Sequence, residues 1–236
     1  ALLSLAALQD ASEEELIRHC HAVSQIIPLV GFYLQPAVGG RILPFSFWRR
    51  FVEIENVVAI KIAPFNRYQT LDVVRAVALA GRDEEIALYT GNDDNIIADL
   101  LTPFTLQTQA GTVRLRIRGG LLGQWSVWTR TAVRLLHEIH EALATSDQIP
   151  ISLLEKHAQL TDANAAIFDA AHGFAGCIAG IHEVLRRQGL LEFTHALDET
   201  VQLSPGQAEE ITRVTRDYPW LPDDDFVSAH LAEWLD

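Results

Sequence analysis

The sequence predicts an α/β fold in which a parallel sheet built from βα units precedes a helical C-terminal region. Strand-like apolar runs alternate with helical patterns through the first 147 residues, as is typical of parallel strands joined by crossover helices. From residue 124 onward, apolar residues recur at helical spacing. We therefore expect two parts, residues 1–147 with the sheet and residues 148–236 as a helical region.

Five strands are expected, at residues 2–8, 27–34, 57–63, 86–91 and 113–118. The helices expected between them span residues 12–25, 45–54, 70–81 and 93–101. The first of these begins with a capping box, because Ser12 is followed three residues later by Glu15. Further helices are expected at residues 124–145, about 151–160, 162–188, 205–217 and 223–235.

The strand pattern leaves two parallel architectures open. One is an open doubly wound sheet, although no glycine-rich phosphate loop follows any of the strands. The other is a (β/α)8 barrel, which needs about 250 residues and three more βα units. If the fold is a barrel, the sequence begins after its first strands.

Charge and composition argue against several classes of partner and site. The chain has 31 acidic and 18 basic residues and a formal net charge of -13, which repels nucleic acid and anionic lipid. Residues 165–181 are apolar but too short for a membrane span, so we interpret them as a buried helix.

The cysteines and histidines do not indicate a metal site. Cys20 and Cys177 lack metal-ligand spacing and favour a reducing compartment, the cytoplasm. His137 and His140 lack an evident third ligand, so no metal site is expected.

One lysine lies inside an apolar strand, "VVAIKIAPF" (57–65), in a chain with sixteen arginines and only two lysines. Alternation places Lys61 on the face that also carries Val57, Ala59 and Ala63. Burial disfavours the charged form of an amine, and a neutral amine can attack a carbonyl to form a Schiff base. The structural alternative is a lysine that extends to the strand end or pairs with a carboxylate.

The preceding unit, "IPLVGFYLQPAVGG" (27–40), supplies a tyrosine near the end of its strand. Tyr33 shares a face with Ile27, Leu29 and Gly31. Neighbouring parallel strands lie about 4.8 Å apart, so we expect the phenol to reach the same pocket as the Lys61 amine. A tyrosine hydroxyl beside an iminium can transfer protons.

These residues resemble the pyruvate-type class I aldolases related to dihydrodipicolinate synthase and N-acetylneuraminate lyase. The family pattern is Tyr-x-x-Pro, a glycine soon after, and Ile-Lys on the next strand. It corresponds here to Tyr33, Pro36, Gly39 or Gly40, and Ile60-Lys61. "LYTGNDDNII" (88–97) resembles the segment that lines the family's substrate pocket, and "RGGLLGQWSVWT" (118–129) resembles the turn after its last strand. The similarity extends over residues 1 to about 145.

The resemblance implies a (β/α)8 TIM barrel with a C-terminal helical region, of which this sequence begins near the fourth strand. Lys61 would form the Schiff base with pyruvate or another 2-oxo acid, and Tyr33 would be the acid/base group. Gly91, Asp93 and Asp94 would approach the hydroxyls or carboxyl of the second substrate. The family uses no metal or organic cofactor, and its members are homo-oligomers, so a dimer or tetramer is expected.

The resemblance implies a lyase or aldolase activity, and two alternatives remain open. One is a dehydratase of 2-oxo sugar acids in the same family, and the other is a non-catalytic barrel in which Lys61 binds a ligand carboxylate. Val38 stands where the synthase branch carries an arginine that binds its aldehyde substrate, and Arg41 is not at the matching position. This departure argues against the lysine-biosynthesis synthase itself.

Overall fold

The computed structural model describes residues 1–146 and 148–235. Its strands are β1 Leu2–Leu3, β2 Leu29–Leu34, β3 Val57–Ala63, β4 Ala87–Thr90, β5 Phe104–Thr108, β6 Gly111–Leu115 and β7 Gly119–Gly120. Five of them form one parallel sheet in the order β1-β2-β3-β4-β7, and β5 and β6 form a separate antiparallel pair. Within the described residues, β7 does not pair with β1.

Helices α1 Glu13–Ser24, α2 Phe45–Phe51 and α3 Arg67–Ala80 connect the strands of the sheet, followed by α4 Ile96–Leu101. The remaining helices are α5 Thr129–Thr145, α6 Ile151–Ile167, α7 Cys177–Arg187, α8 Gln207–Asp217 and α9 Asp224–Leu235. The capping box predicted for α1 is present, with the Ser12 N–H donating to Glu15 and the Glu15 N–H donating to Ser12. Helix α3 begins three residues earlier than predicted because the Asn66 side chain accepts from the N–H groups of Tyr68 and Gln69.

The fifth predicted strand, residues 113–118, is wrong. Residues up to Leu115 belong to β6 of the hairpin, and the strand that pairs with β4 is Gly119–Gly120. The hairpin forms because apolar and polar residues alternate on both sides of a short turn that ends at Gly111, whose φ is +124°. A two-residue glycine strand has no apolar pattern, so alternation could not detect it.

The single helix predicted over residues 162–188 is also wrong. Helix α6 continues to Ile167 and α7 begins only at Cys177. Between them Asp169 and Phe174 adopt positive φ values of 58° and 70°. The Asp169 carboxylate accepts hydrogen bonds from the Gly176 N–H and the Ser204 hydroxyl, which stabilises the break in place of helical bonding.

The chain divides into two compact units, the first comprising residues 1–92 and 98–121 and the second residues 93–97 and everything from Leu122 onward. The boundary that the sequence predicts falls at Asp147, which is outside the described residues, and it stays a prediction. In the first unit, one face of the sheet is buried against helix α2 through a cluster of aromatic rings, Tyr33, Phe47, Trp48 and Phe51.

The second unit is helical, with a core of aliphatic side chains that includes Leu135, Ile139, Leu153, Leu160, Ile167, Ile211 and Val214. Helices α6 and α8 are also joined by Arg213, which donates two hydrogen bonds to the Asp162 carboxylate at 2.8 and 3.0 Å. Such paired, charge-assisted bonds fix orientation as well as adding stability. Across the described residues, none of the helices is long and apolar enough to cross a membrane.

Candidate active site

Strand register places four residues in one row across the sheet. Lys61 on β3 pairs with Phe32 on β2 and with Tyr89 on β4, and Tyr89 pairs with Gly119 on β7. Paired residues on adjacent parallel strands project from the same face. Phe32, Lys61 and Tyr89 are all half-buried, and the opposite face carries the rings packed against α2. The Lys61 side chain therefore projects from the face that the helix α2 cluster does not cover.

The predicted alternation along β3 holds only after its first two residues. Leu29 pairs with Val57 and Val30 pairs with Ala59, so the register shifts by one residue at Val58. Val58, the extra residue at this shift, is 43% exposed. A bulge of this kind moves Val57 off the face of Lys61 and leaves Ala59 and Ala63 on it.

The Lys61 amine lies over an aromatic ring, with its Nζ 4.4 Å from the centroid of Phe32. An ammonium in this position is stabilised by the ring quadrupole. The aliphatic part of the side chain runs past Gly91, where a Cβ would stand 2.8 Å from Lys61 Cε and 2.7 Å from the Ala63 Cβ. Gly91 is held in place by its N–H, which donates to the Ile62 carbonyl at 2.7 Å. The structure thus brings Gly91 against Lys61.

Tyr33 does not share this pocket, and the expectation that its phenol reaches the Lys61 amine is wrong. Tyr33 pairs with Ile62, on the opposite face of the sheet from Lys61, and its side chain is fully buried. Its ring centroid lies 5.2 Å from that of Trp48. The hydroxyl donates to the Leu43 carbonyl at 3.1 Å and accepts from the Leu43 N–H at 3.2 Å. Burial raises the pKa of the phenol above its ordinary value.

Replacing Tyr33 with phenylalanine is expected to lower the free energy of unfolding by about 1–3 kcal/mol, because both backbone groups of buried Leu43 lose their partner. Urea denaturation would measure the change. The matched control is Tyr68→Phe, since that side chain is 82% exposed and should leave stability unchanged. Equal stability of the two variants would contradict a structural role for the Tyr33 hydroxyl.

A buried carboxylate organises the strand end beside Lys61. Asp99, with a side chain only 4% exposed, accepts from Thr90 Oγ1 at 2.6 Å, from Asn92 Nδ2 at 2.9 Å and from Arg67 Nη1 at 2.8 Å. The other end of the Asn92 amide accepts from the N–H of Phe65, which follows β3 and has a positive φ of 52°. The network therefore ties the end of β4 to the segment that leaves β3.

Asp93 and Asp94 belong to the second unit. The main-chain carbonyl of each accepts a hydrogen bond from a side chain of helix α6. The Asp93 carboxylate accepts from the Gln124 N–H at 2.9 Å, and its carbonyl accepts from the Asn164 amide at 2.7 Å. The Asp94 carbonyl accepts from the Thr161 hydroxyl at 3.0 Å. Their predicted contact with a second substrate stays a prediction.

Sequence reasoning missed Phe32 and Tyr89, the two aromatic residues paired with Lys61. Both lie inside the segments that carry the family resemblance, "IPLVGFYL" and "LYTGNDD". The signal that identifies them is strand register, which a single sequence does not contain. Among the described residues, no group of three or more histidine, cysteine, aspartate or glutamate side chains is arranged to hold a metal ion.

No family model matches the sequence, and no curated protein matches it. Solved structures do. Dihydrodipicolinate synthase from Thermotoga maritima is 19% identical with a TM-score of 0.64, over 89% of this chain and 63% of its own. The synthase from Bacteroides thetaiotaomicron is 14% identical with a TM-score of 0.62, over 88% of this chain and 62% of its own.

A 2-keto-3-deoxygluconate aldolase variant from Sulfolobus solfataricus, solved in complex with L-2-keto,3-deoxy-galactonate, matches as well. It is 14% identical with a TM-score of 0.60, over 96% of this chain and 63% of its own. The chain has the fold of these enzymes. It spans about three fifths of their length.

The dihydrodipicolinate synthase fold accounts for the two features that the sequence predicted, a parallel sheet of βα units and a helical C-terminal region. The predicted fold class, a (β/α)8 barrel with such a region, is confirmed at the level of the fold. Within this fold Lys61 stands on β3 facing away from helix α2, with Gly91 beside it. The resemblance had paired Lys61 with Tyr33, and the strand register pairs it with Phe32 and Tyr89 instead.

Proposed function

We propose that the protein is a member of the pyruvate-type class I aldolases and that it forms a Schiff base between Lys61 and a 2-oxo acid such as pyruvate. The observation that carries the proposal is the position of Lys61. It is a half-buried amine in the middle of a parallel strand, on the face away from helix α2, with the small residue Gly91 leaving room beside its side chain. The shared fold with dihydrodipicolinate synthase and 2-keto-3-deoxygluconate aldolase supports it.

The chemistry begins with the neutral amine of Lys61. Its lone pair attacks the C2 carbonyl of the 2-oxo acid, and a proton moves from nitrogen to oxygen to give a carbinolamine. Once that hydroxyl receives a proton it leaves as water, and the nitrogen lone pair forms the double bond of a protonated imine. The protonated imine accepts the electron pair when a neighbouring carbon–carbon or carbon–oxygen bond breaks. Aldol cleavage and dehydration share this iminium, so both a lyase and a dehydratase of 2-oxo sugar acids fit the proposal.

The contact between Lys61 and Phe32 favours a second candidate function. A ring 4.4 Å from Nζ stabilises the protonated amine, and a protonated lysine is suited to binding a carboxylate without attacking a carbonyl. In that case the protein is a ligand-binding barrel of the same fold. The homo-oligomeric state and cytoplasmic location expected from the sequence stay predictions under either function.

Borohydride reduction in the presence of pyruvate tests the proposal, because the chain has only two lysines. We expect an irreversible adduct on the peptide that contains Lys61 and none on the peptide that contains Lys156. Lys61→Arg should abolish the adduct, since a guanidinium keeps the charge but does not form an imine. Lys156→Arg is the matched control and should leave the adduct unchanged, since Lys156 forms an ion pair with Glu138 at 2.6 Å.

The same variants separate the two candidate functions. A binding barrel would give no adduct with pyruvate or with larger 2-oxo acids, yet titration calorimetry would detect binding of these acids to both the native protein and Lys61→Arg. Absence of an adduct across such a panel would rule out the Schiff-base function.

A further inference from the structure

The proposed Schiff-base function requires an acid in addition to the Lys61 amine. A carbinolamine loses its hydroxyl as water only after that oxygen receives a proton, so an acid must stand on the same face as Lys61. The first unit contains three tyrosines, Tyr33, Tyr68 and Tyr89. Tyr33 lies on the opposite face with its hydroxyl bound to the Leu43 backbone, and Tyr68 is 82% exposed on helix α3. Tyr89 is the tyrosine that shares the face of Lys61.

The position of Tyr89 suits a proton donor to the Lys61 amine. The two residues occupy directly paired positions on β3 and β4, where backbones lie about 4.8 Å apart. On its other side, Tyr89 pairs with Gly119, and a Cβ there would stand 3.3 Å from the Tyr89 ring. Glycine at this position therefore lets the ring lie over the neighbouring strand. The Tyr89 side chain is half-buried, and its hydroxyl makes no hydrogen bond to any of the described residues.

We propose that Tyr89, and not Tyr33, is the acid/base residue that serves the Lys61 amine; this inference rests on the proposed Schiff-base function. In the dehydration step, the Tyr89 hydroxyl gives its proton to the carbinolamine oxygen. The carbon–oxygen bond breaks, water leaves, and the nitrogen lone pair forms the carbon–nitrogen double bond. Tyr89 is left as a phenolate beside the positively charged iminium.

The phenolate then acts as the base for carbon–carbon cleavage. It takes the proton from a hydroxyl on C4 of the bound 2-oxo acid, and that oxygen forms a carbonyl as the C3–C4 bond breaks. The electron pair of the broken bond passes to the iminium, which becomes an enamine, and an aldehyde leaves. The groups at the strand positions paired with Tyr89 bear on its protonation. On β3 the paired residue is Lys61, which is titratable, and on β7 it is Gly119, which has no side chain.

The test compares Tyr89→Phe with Tyr33→Phe in the full chain. The readout is the rate at which borohydride traps pyruvate on Lys61, measured across a range of pH. We expect Tyr89→Phe to slow trapping about 100-fold, within the range for loss of a general acid. Tyr33→Phe should stay within about threefold of the native rate at temperatures where it is folded, because its hydroxyl bonds to the Leu43 backbone and lies on the opposite face of the sheet from Lys61.

The pH profile separates a proton-transfer role from a structural one. A proton-transfer role predicts that Tyr89→Phe changes the shape of the pH profile of the trapping rate, whereas a structural role predicts the same fold-loss at every pH. Replacing Tyr89 with 3-fluorotyrosine, which is nearly the same size but a stronger acid, should also change the pH profile, and a profile identical to the native one would contradict a proton-transfer role. Far-UV circular dichroism would establish that each variant is folded.

The outcomes distinguish this inference from the function on which it rests. If the native protein forms no adduct with any 2-oxo acid, both the proposed function and the role of Tyr89 are contradicted. If the native protein forms the adduct and Tyr89→Phe forms it at the native rate, the role of Tyr89 is contradicted and the Schiff-base function is not. A slow Tyr33→Phe beside a native-like Tyr89→Phe would assign the role to Tyr33.

Discussion

Replacing Gly91 with alanine is expected to slow formation of the pyruvate adduct on Lys61 about 100-fold, because small displacements of a reacting group have effects of this size. The added Cβ would stand 2.7 Å from the Ala63 Cβ and 2.8 Å from Lys61 Cε. Ala63 is on the same strand as Lys61 and cannot rotate away, so the lysine side chain or the strand must move. Borohydride trapping at fixed pyruvate concentration, followed by intact-mass measurement, gives the rate.

The matched control for this variant is Gly81→Ala at the end of helix α3. Gly81 has a φ of +67° and nothing within 4 Å of its would-be Cβ. Alanine there costs about 1–2 kcal/mol of backbone strain but touches no part of the site. Gly81→Ala should therefore be less stable than the native protein and should form the adduct at the native rate. A native rate in Gly91→Ala would show that the room beside Lys61 is not needed.

Replacing Asp99 with alanine is expected to lower the free energy of unfolding by about 2–4 kcal/mol. Thr90 and Asn92 are fully buried and both donate to this carboxylate, and each buried donor left without a partner costs about 1–3 kcal/mol. The ion pair with Arg67 adds little to this estimate, because the Arg67 side chain is 38% exposed and regains water. Urea denaturation monitored by tryptophan fluorescence would measure the loss.

Asp72→Ala supplies the control for the loss of an aspartate near an arginine. Asp72 lies 3.5 Å from Arg75 on helix α3, and both side chains are substantially exposed, at 31% and 48%. Exposed pairs of this kind contribute at most about 1 kcal/mol. If Asp99→Ala were no less stable than Asp72→Ala, the buried network would not contribute to the stability of the strand end beside Lys61.

Several elements of the fold could be predicted from the sequence because their signals are local. Strand β3 was predicted with its observed bounds, since an apolar run ends at Pro64. The capping box of α1 was predicted from Ser12 and Glu15. The β5–β6 hairpin, the Gly119–Gly120 strand and the break after Ile167 were not predicted. The Gly119–Gly120 strand depends on pairing with β4, and the break after Ile167 depends on side-chain bonds to distant residues, such as that of Ser204 to Asp169.

Some features of the candidate site also follow from the sequence, and others follow only from the tertiary structure. The sequence by itself determined that a lysine stands inside a buried parallel strand and that Gly91 follows the next strand, because composition and strand ends are properties of single segments. Which tyrosine shares the face of Lys61 was decided only by the tertiary structure. Strand β2 is apolar on both faces, as parallel strands commonly are, so its sequence does not show which face meets the helices. A shift of one residue exchanges the two faces, and the observed register places Phe32 beside Lys61 and Tyr33 behind the sheet.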